Sequence, residues 1–428
     1  MDTRDKPAQG DFVLYPNCCE AIARRSTPLT TMLHSLGRFV LAVWHVVGLI
    51  IIVVLLLEFG VDWLRAMSRW LRYRRWGRPD RTANADAYQG AAWAIRYFDE
   101  FHRLVRVDWR PYVGWWQRPA HGGYITLDER GLRPTPGENR AGAGTLRILC
   151  FGGSTMMGMG ARDDATIPAV LARRLAEQGH CAAVTNFGQL GHNSTQEAIG
   201  LHQLLKTGGR PDLALFYDGI NEIASAEQSG RADAVFNESR RRAEFNLLHP
   251  DRRGDLYAAA LMTAVPRSLR RLRKLTGLGL QGPLPGPEAD LSRIDLPELA
   301  EAVVAAYAAN LRLVRLTARE HGFAALFFWQ PVITTKERKS ADEARFEADY
   351  TTDIVLRRRF YRLVIEAYRR HPEIAAAGDA VDLSAIFDAL EDPVYIDAYH
   401  LSETGNAMVA EAMLPFVAAA ILRQKRGG

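Results

Sequence analysis

Leu146-Arg147-Ile148-Leu149-Cys150-Phe151-Gly152-Gly153-Ser154 runs from an apolar, strand-forming stretch into a Gly-Gly-Ser turn. Two further runs end in a similar way. Ala183-Val184-Thr185 leads into Asn186-Phe187-Gly188-Gln189-Leu190-Gly191-His192-Asn193, and Leu213-Ala214-Leu215 leads into Phe216-Tyr217-Asp218-Gly219-Ile220-Asn221-Glu222. Segments of helical character lie between and after them. Thr166 can cap a helix reaching Gln178, and another is expected from Ser194 to Thr207. Val303, Val304, Tyr307, Leu311 and Val314 recur at helical spacing between Leu296 and His321. Phe323 to Trp329 and Ala380 to Leu383 read as further strands, with helices expected from Arg357 to Arg370 and from Glu403 to Leu422. Such alternation implies an α/β domain whose parallel strands are joined by right-handed crossovers.

Near the C-terminus, Asp397-Ala398-Tyr399-His400 offers a carboxylate and an imidazole three positions apart, close enough to hydrogen-bond within one turn. With the Ser154 hydroxyl they supply a nucleophile, its base and the group that orients the base, the logic of serine acyl transfer. Each run alone has a plainer use: Gly-Gly-Ser as a flexible turn, Asp-x-x-His as a surface pair. Their order along an α/β chain favours chemistry, because open parallel sheets bind ligands at the carboxyl ends of their strands.

Gly-x-Ser, a glycine after the second strand, Gly-x-Asn after the third and Asp-x-x-His resemble, in that order, the four sequence blocks of SGNH (GDSL-type) hydrolases. The likeness runs from about Leu146 to the C-terminus, with a long interruption after the third block. It implies a flavodoxin-like three-layer α/β/α sandwich and cleavage of an ester or thioester. Carried onto this chain, it implies Ser154 as nucleophile, His400 as base and Asp397 as its partner. It also implies an oxyanion hole of the Ser154 backbone N–H, Gly191 and Asn221. His192 and Glu222 are candidate pocket residues, although a loop position for the first and a loop anchor for the second are the plainer readings. Two departures stand out: Gly-Gly-Ser in place of Gly-Asp-Ser, and Gly-Ile-Asn-Glu in place of Gly-x-Asn-Asp. Neither removes a reacting group. No cofactor is implied, and a metal is not expected: the sequence has no His-Glu-x-x-His, no paired Cys-x-x-Cys and no Gly-x-x-x-x-Gly-Lys.

The physical demands on these positions are specific. An ester carbonyl under attack becomes an oxyanion, and each donor preorganised for it lowers the barrier by about 3–4 kcal/mol. Ser154 would open a helix, where the first amide N–H groups lack intrahelical partners. Glycine lets a backbone N–H approach closely, and an asparagine amide carries two N–H groups. The base must be neutral to accept the serine proton, a state open to histidine near neutral pH.

The N-terminal third has a different character. Phe39 to Leu57 is an almost unbroken apolar run with His45 as its one ionisable residue, about long enough to span a bilayer core. Glu58-Phe59-Gly60-Val61-Asp62 follows and offers no small-x-small cleavage site, so the run reads as an uncleaved anchor. The expected organisation is a tail over 1–35, a transmembrane helix over 36–58, a basic amphipathic segment over 59–80, and an aromatic lead-in over 81–140. The hydrolase domain follows over 141–425. In the basic segment, Trp63, Leu64, Met67, Trp70, Leu71 and Tyr73 interleave with arginines, a pattern suited to anionic lipid headgroups. It accounts for much of the net charge of +5 without invoking nucleic acid. Arg65 to Arg78 outweighs Arg24, Arg25 and Arg38, a bias that favours a cytoplasmic domain. The family resemblance pulls the other way, toward work on cell-surface glycans outside the cytoplasm. Cys150 and Cys181 read as small buried hydrophobes, and Cys18 and Cys19 lack a lipobox.

In the lead-in, Gly122-Gly123 reads as a hairpin turn, and the aromatics between Trp109 and Trp116 are expected to pack under the sheet or to stack on sugar rings. The segment 223–295 stands outside the α/β pattern as a basic helical insertion, either a solvated face or a lid or second membrane contact. The function expected is a membrane-anchored serine esterase acting on an acyl group, acetyl first, of a glycan or glycolipid. An O-acyltransferase with the same triad, a lysophospholipase or thioesterase acting on lipid, and a non-catalytic scaffold among envelope-biosynthesis proteins are the alternatives.

Overall fold

The computed structural model describes residues 28–76, 81–140, 144–247, 289–350 and 353–427. A single helix of 49 residues, α1 (Pro28–Trp76), comes first. Its residues as far as Trp70 belong to one compact unit, and the described residues from Leu71 onward form the other. Within α1, Thr31–Val54 has a mean hydropathy of 2.3, none of it is buried, and it is long and apolar enough to cross a membrane. The expected apolar span and the basic segment after it lie, as far as Trp76, on this one unbroken helix. His45 Nδ1 lies 2.8 Å from the Leu41 carbonyl, which satisfies one ring nitrogen inside the apolar run.

The second unit opens with α2 (Ala92–Leu104) and two hairpins. β1 (Val107–Arg110) pairs with β2 (Gly114–Gln117), and β3 (Ala120–His121) pairs with β4 (Thr126–Leu127). The second hairpin turns through Gly122-Gly123. The first, made of the aromatic stretch, reverses at Tyr112 and Gly114, both in the left-handed region with φ of 70° and 85°.

A sheet of five parallel strands follows: β5 (Leu146–Gly152), β6 (Ala182–Asn186), β7 (Leu213–Asp218), β8 (Ala324–Trp329) and β9 (Ala380–Asp382). Their spatial order, β6-β5-β7-β8-β9, is the flavodoxin-like 2-1-3-4-5. The intervening and flanking helices are α3 (Ser154–Met157), α4 (Ile167–Glu177), α5 (Ser194–Lys206), α6 (Ile220–Ser229), α7 (Glu238–Leu247), α8 (Leu296–His321), α9 (Ala341–Tyr350), α10 (Ile354–Arg370), α11 (Pro372–Ala375) and α12 (Glu403–Gly427).

Strand alternation divides the interior into two cores. Ile148, Cys150, Leu215, Tyr217 and Phe328 face α4 and α12, while Leu149, Phe151, Phe216, Phe327 and Trp329 face α5, α6, α8 and α10. Because both faces are covered, β7 is buried at every position, which is why Leu213 to Tyr217 is a continuous apolar run, with the buried Asp218 at its carboxyl end. On the second face Phe151, Phe216 and Phe327 stack across neighbouring strands with centroids 5.1 and 5.2 Å apart. Glu403–Gln424 also has the length and hydropathy of a membrane span, but half of it is buried and it contributes Val409, Met413 and Val417 to the first core. It is a core helix. The Thr166 cap is in place, its Oγ1 accepting from Ala169 N at 3.2 Å.

The chain passes from β5 to β6 on one side and then returns past β5 to β7. The carboxyl ends of β5 and β7 thus flank the switch point where such sheets open a crevice.

Candidate active site

Ser154 is the first residue of α3, immediately beyond β5. Its hydroxyl lies 2.7 Å from His400 Nε2, and His400 Nδ1 lies 2.7 Å from Asp397 Oδ2. With Nδ1 protonated toward the carboxylate, Nε2 is left to accept the serine proton. The other oxygen of Asp397 accepts the backbone N–H groups of Tyr399 and His400 at 2.8 and 2.7 Å, so its carboxylate cannot rotate away. Burial pushes the Asp397 pKa up, but the His400 charge and these hydrogen bonds outweigh it and hold the carboxyl below its ordinary value. The residues on either side are tied as well. Ile396 N donates to His400 O at 3.0 Å, and Arg357 Nη2 on α10 donates to the Tyr399 hydroxyl at 2.5 Å.

A cavity of about 320 Å³ opens on Ser154 and His400, and Gly191 and Asn221 also line it. Gly191 has φ of +68°, and a Cβ there would meet nothing closer than Phe236 at 3.5 Å. The backbone conformation, not space, is what favours glycine at this position. Trp115 Nε1 donates to Leu190 O at 2.6 Å. That bond fixes the plane of the Leu190–Gly191 peptide, whose N–H points opposite to the carbonyl. Asn221 Nδ2 donates one of its two N–H groups to His192 O at 2.6 Å, which orients the amide.

Gly153 is the position where the first sequence block departs from Gly-Asp-Ser, and the structure gives a reason. A Cβ at 153 would lie 2.0 Å from Asn221 Nδ2. The Asn221 amide occupies the space a side chain would take.

His192 and Glu222, expected as pocket candidates, are not among the residues that line the cavity. The His192 ring is buried edge-on against Trp115 and Trp116, with Nε2 3.0 Å from Trp115 O. Burial lowers its pKa to about 4, Arg110 and Arg241 adding to the effect, so it is neutral. Glu222 accepts Ser194 N at 2.6 Å and Gly219 N at 2.8 Å, pinning the β7–α6 turn to the start of α5. It acts as the loop anchor. Behind it Glu197 and Asp218 are buried together, and desolvation raises both pKa values well above the ordinary carboxylate range, with the Asp218 charge adding at Glu197 and the Glu222 charge adding at Asp218.

Several wall residues had no motif to announce them. The aromatic stretch expected to pack under the sheet is instead held over its carboxyl edge. Gln117 N donates to Gln189 Oε1 at 2.9 Å and Gln196 Nε2 to Val113 O at 2.6 Å, alongside the Trp115–Leu190 bond. Val107 and Trp115 therefore line the cavity, while Trp109 is 76% exposed. On the opposite side of the sequence, residues 223–229 of the expected insertion simply continue α6. Residues 230–247 then fold back, bringing Phe236, Asn237 and Arg241 into the wall. Asn193 Nδ2 donates to Ala234 O at 3.1 Å, and Gln228 Oε1 accepts Asn237 N at 3.0 Å, fixing that return. Arg267 to Lys274 and the Gly/Pro-rich stretch after them lie outside the described residues.

Cys150 is buried, which pushes its thiol up to about 12, so it is no nucleophile. Among the described residues no group of three or more His, Cys, Asp or Glu side chains could hold a metal ion.

No family model matches the chain, and no curated protein matches it in sequence. Solved structures similar to it include three ester-hydrolase types. An acetyl xylan esterase, AlAXEase, is 12% identical, with 64% of this chain and 100% of that one covered at a TM-score of 0.35. A putative arylesterase from Agrobacterium tumefaciens str. C58 is 16% identical over 64% of this chain and 100% of that one, at 0.36. A member of the lipolytic protein G-D-S-L family from Veillonella parvula DSM 2008 is 11% identical over 63% and 97%, at 0.32.

Proposed function

We propose that this chain is a membrane-anchored serine esterase of SGNH type. The observation that carries the proposal is the Ser154–His400–Asp397 relay, two 2.7 Å contacts in series, at the wall of a cavity that also presents Gly191 and Asn221. In the first half-reaction, His400 Nε2 takes the proton as Ser154 Oγ bonds to the ester carbonyl carbon. The carbonyl electron pair moves to oxygen, where the Ser154 and Gly191 N–H groups and the Asn221 amide receive it. Collapse expels the alcohol, which takes the proton from His400 and leaves an acyl-enzyme. Water then attacks with the same base, releasing the acid and restoring Ser154. Asp397 stays ionised throughout, in keeping with its lowered pKa.

Of the expected substrates, an acylated glycolipid or lipid suits the cavity better than a simple acetylated sugar. Val107, Met159, Leu190, Ile220, Ala224 and Phe236 give it apolar walls, and α1 would hold the enzyme where such amphiphiles are found. The test is a fluorophosphonate probe followed by intact-mass measurement. Wild type gains one adduct and Ser154→Ala gains none. Equal labelling of the two removes Ser154 as nucleophile. Turnover of acetylated glycans, short acyl esters and lysolipids then ranks the substrates.

A further inference from the structure

Two of the three candidate oxyanion donors sit where a regular element does not by itself fix them. The Ser154 N–H comes with the start of α3, but Gly191 lies in the loop between β6 and α5, and the Asn221 donor is a side-chain amide in the first turn of α6. The β6–α5 loop is bonded to the sheet as far as Gln189, whose N–H donates to Gly152 O at 3.0 Å; Gly191 lies two residues further on. Such donors stabilise an oxyanion only when they are held on target, since a misplacement of about 1 Å costs roughly 100-fold in rate.

Trp115, on the β1–β2 hairpin, reaches both donors from outside the five-stranded sheet. Its indole N–H, bonded to Leu190 O at 2.6 Å, controls the first: the Leu190–Gly191 peptide is planar, so fixing its carbonyl fixes the Gly191 N–H. Its backbone carbonyl controls the second. Trp115 O lies 3.0 Å from His192 Nε2, which therefore carries the ring proton, and the His192 ring is buried edge-on against Trp115 and Trp116. Residue 192 is held in place by that ring, and its own carbonyl accepts the Asn221 amide at 2.6 Å. The hairpin is fastened on both sides of these contacts, by Gln117 N to Gln189 Oε1 at 2.9 Å and by Gln196 Nε2 to Val113 O at 2.6 Å. β1 and β2 form a sheet of their own, so these bonds, and not a shared ladder, seat it.

We propose that Trp115 is the positioning residue of the oxyanion hole: its indole N–H aims the Gly191 donor, and its carbonyl, through the His192 ring, aims the Asn221 amide. The proposal rests on the esterase reading and deepens it, because it extends the catalytic machinery to a hairpin that precedes the sandwich in sequence. In this role Trp115 touches no reacting atom; it acts through Leu190 and His192. Trp115 also lines the cavity, and a Trp115 that only formed wall would act on substrate binding, with no preference for the transition state.

The test uses the full-length protein in detergent, a short neutral ester and a pair of ketone inhibitors. Trp115→Phe removes the indole N–H and keeps an aromatic wall. His192→Phe keeps a buried ring and removes the N–H that meets Trp115 O. Each should lower kcat by about 10- to 100-fold, with KM changed less than about threefold. A trifluoromethyl ketone, whose adduct with Ser154 places an oxyanion in the hole, should lose affinity by the same factor as kcat/KM. The methyl ketone of the same chain, which keeps its trigonal carbonyl, should bind as before. His192→Gln, which returns an N–H toward the Trp115 carbonyl, should recover part of kcat. The two arms separate in an Asn221→Ala background. There His192→Phe should cost less than about threefold more, because it acts through the missing amide, whereas Trp115→Phe should keep most of its effect through Gly191. If Trp115→Phe does not fold, benzothienylalanine at position 115, which has the indole shape and no N–H, takes its place. Wild-type kcat in the variant lacking the indole N–H, equal loss of affinity for both ketones, or losses that multiply between His192→Phe and Asn221→Ala overturn the proposal. Turnover by wild type alongside that result leaves the esterase reading intact. Absence of turnover and of fluorophosphonate labelling in wild type overturns both.

Discussion

Gly153→Ala isolates one atom's worth of space in the candidate oxyanion hole. The backbone at 153 has φ −78° and ψ −152°, extended and outside the left-handed region that favours glycine. The new methyl would lie 2.0 Å from Asn221 Nδ2, and ordinary contact begins at 3.4 Å. The amide must therefore move by about 1.4 Å, away from the geometry in which it donates to His192 O at 2.6 Å. A misplacement of about 1 Å in a catalytic group costs roughly 100-fold in rate. Complete loss of one oxyanion donor costs about 100- to 1,000-fold. Gly153→Ala should thus lower kcat on a short neutral ester by about 100-fold, with KM changed less than about threefold, because the lost bond matters in the transition state. Asn221→Ala should fall in the same range. The double variant should be no slower than Asn221→Ala alone, since the methyl acts only through the amide. Steady-state hydrolysis, with the rate of fluorophosphonate labelling as a second readout, gives the three values. Stability should change little, because the chain-entropy gain from Gly to Ala, about 0.4–1 kcal/mol, offsets the displaced side chain. Losses that multiply in the double variant, or a Gly153→Ala enzyme with wild-type kcat, would refute the reasoning.

Other expectations follow from buried charge and from the N-terminal helix. Glu197 and Asp218 keep protons in the folded chain that the unfolded chain releases above pH about 4. Their contribution to stability is therefore complete below that pH and is lost as pH rises through the higher folded-state values. Glu197→Gln needs no proton, so its melting temperature relative to wild type should rise between pH 5 and pH 8; a gain that is equal at the two pH values would contradict the protonated cluster. The full-length protein should stay in the membrane pellet through a wash at about 1 M salt, which screens headgroup attraction but not burial of an apolar span, and should leave in detergent. Release by salt alone would reduce α1 to a surface contact.

The alternation of apolar runs and helical periods was enough to give the parallel α/β class, because a strand buried on both faces has to be continuously apolar. Ser154, Asp397 and His400 were legible for a related reason: their spacing within turns is local, and Asp-x-x-His can close on itself without help from the rest of the chain. The strand order 2-1-3-4-5, which decides that the turns after β5, β6 and β7 meet at one crevice, is set by packing between distant segments. The reach of the cavity walls depends on the same long-range packing. Trp115 comes to the site through side-chain bonds to residues 189–196, some 75 positions away, and Arg241 through a loop held by Asn193 and Gln228. No period or spacing records such contacts. His192 shows the limit most directly. Its neighbour Gly191 made it a pocket candidate beside the plainer reading of a loop position, and the first hairpin covers its ring, leaving its carbonyl to orient Asn221. Sequence singled out Ser154, Asp397 and His400 as groups that could come together. Tertiary packing decided which atoms face the cavity, because each wall is made by a segment that only the folded chain brings there.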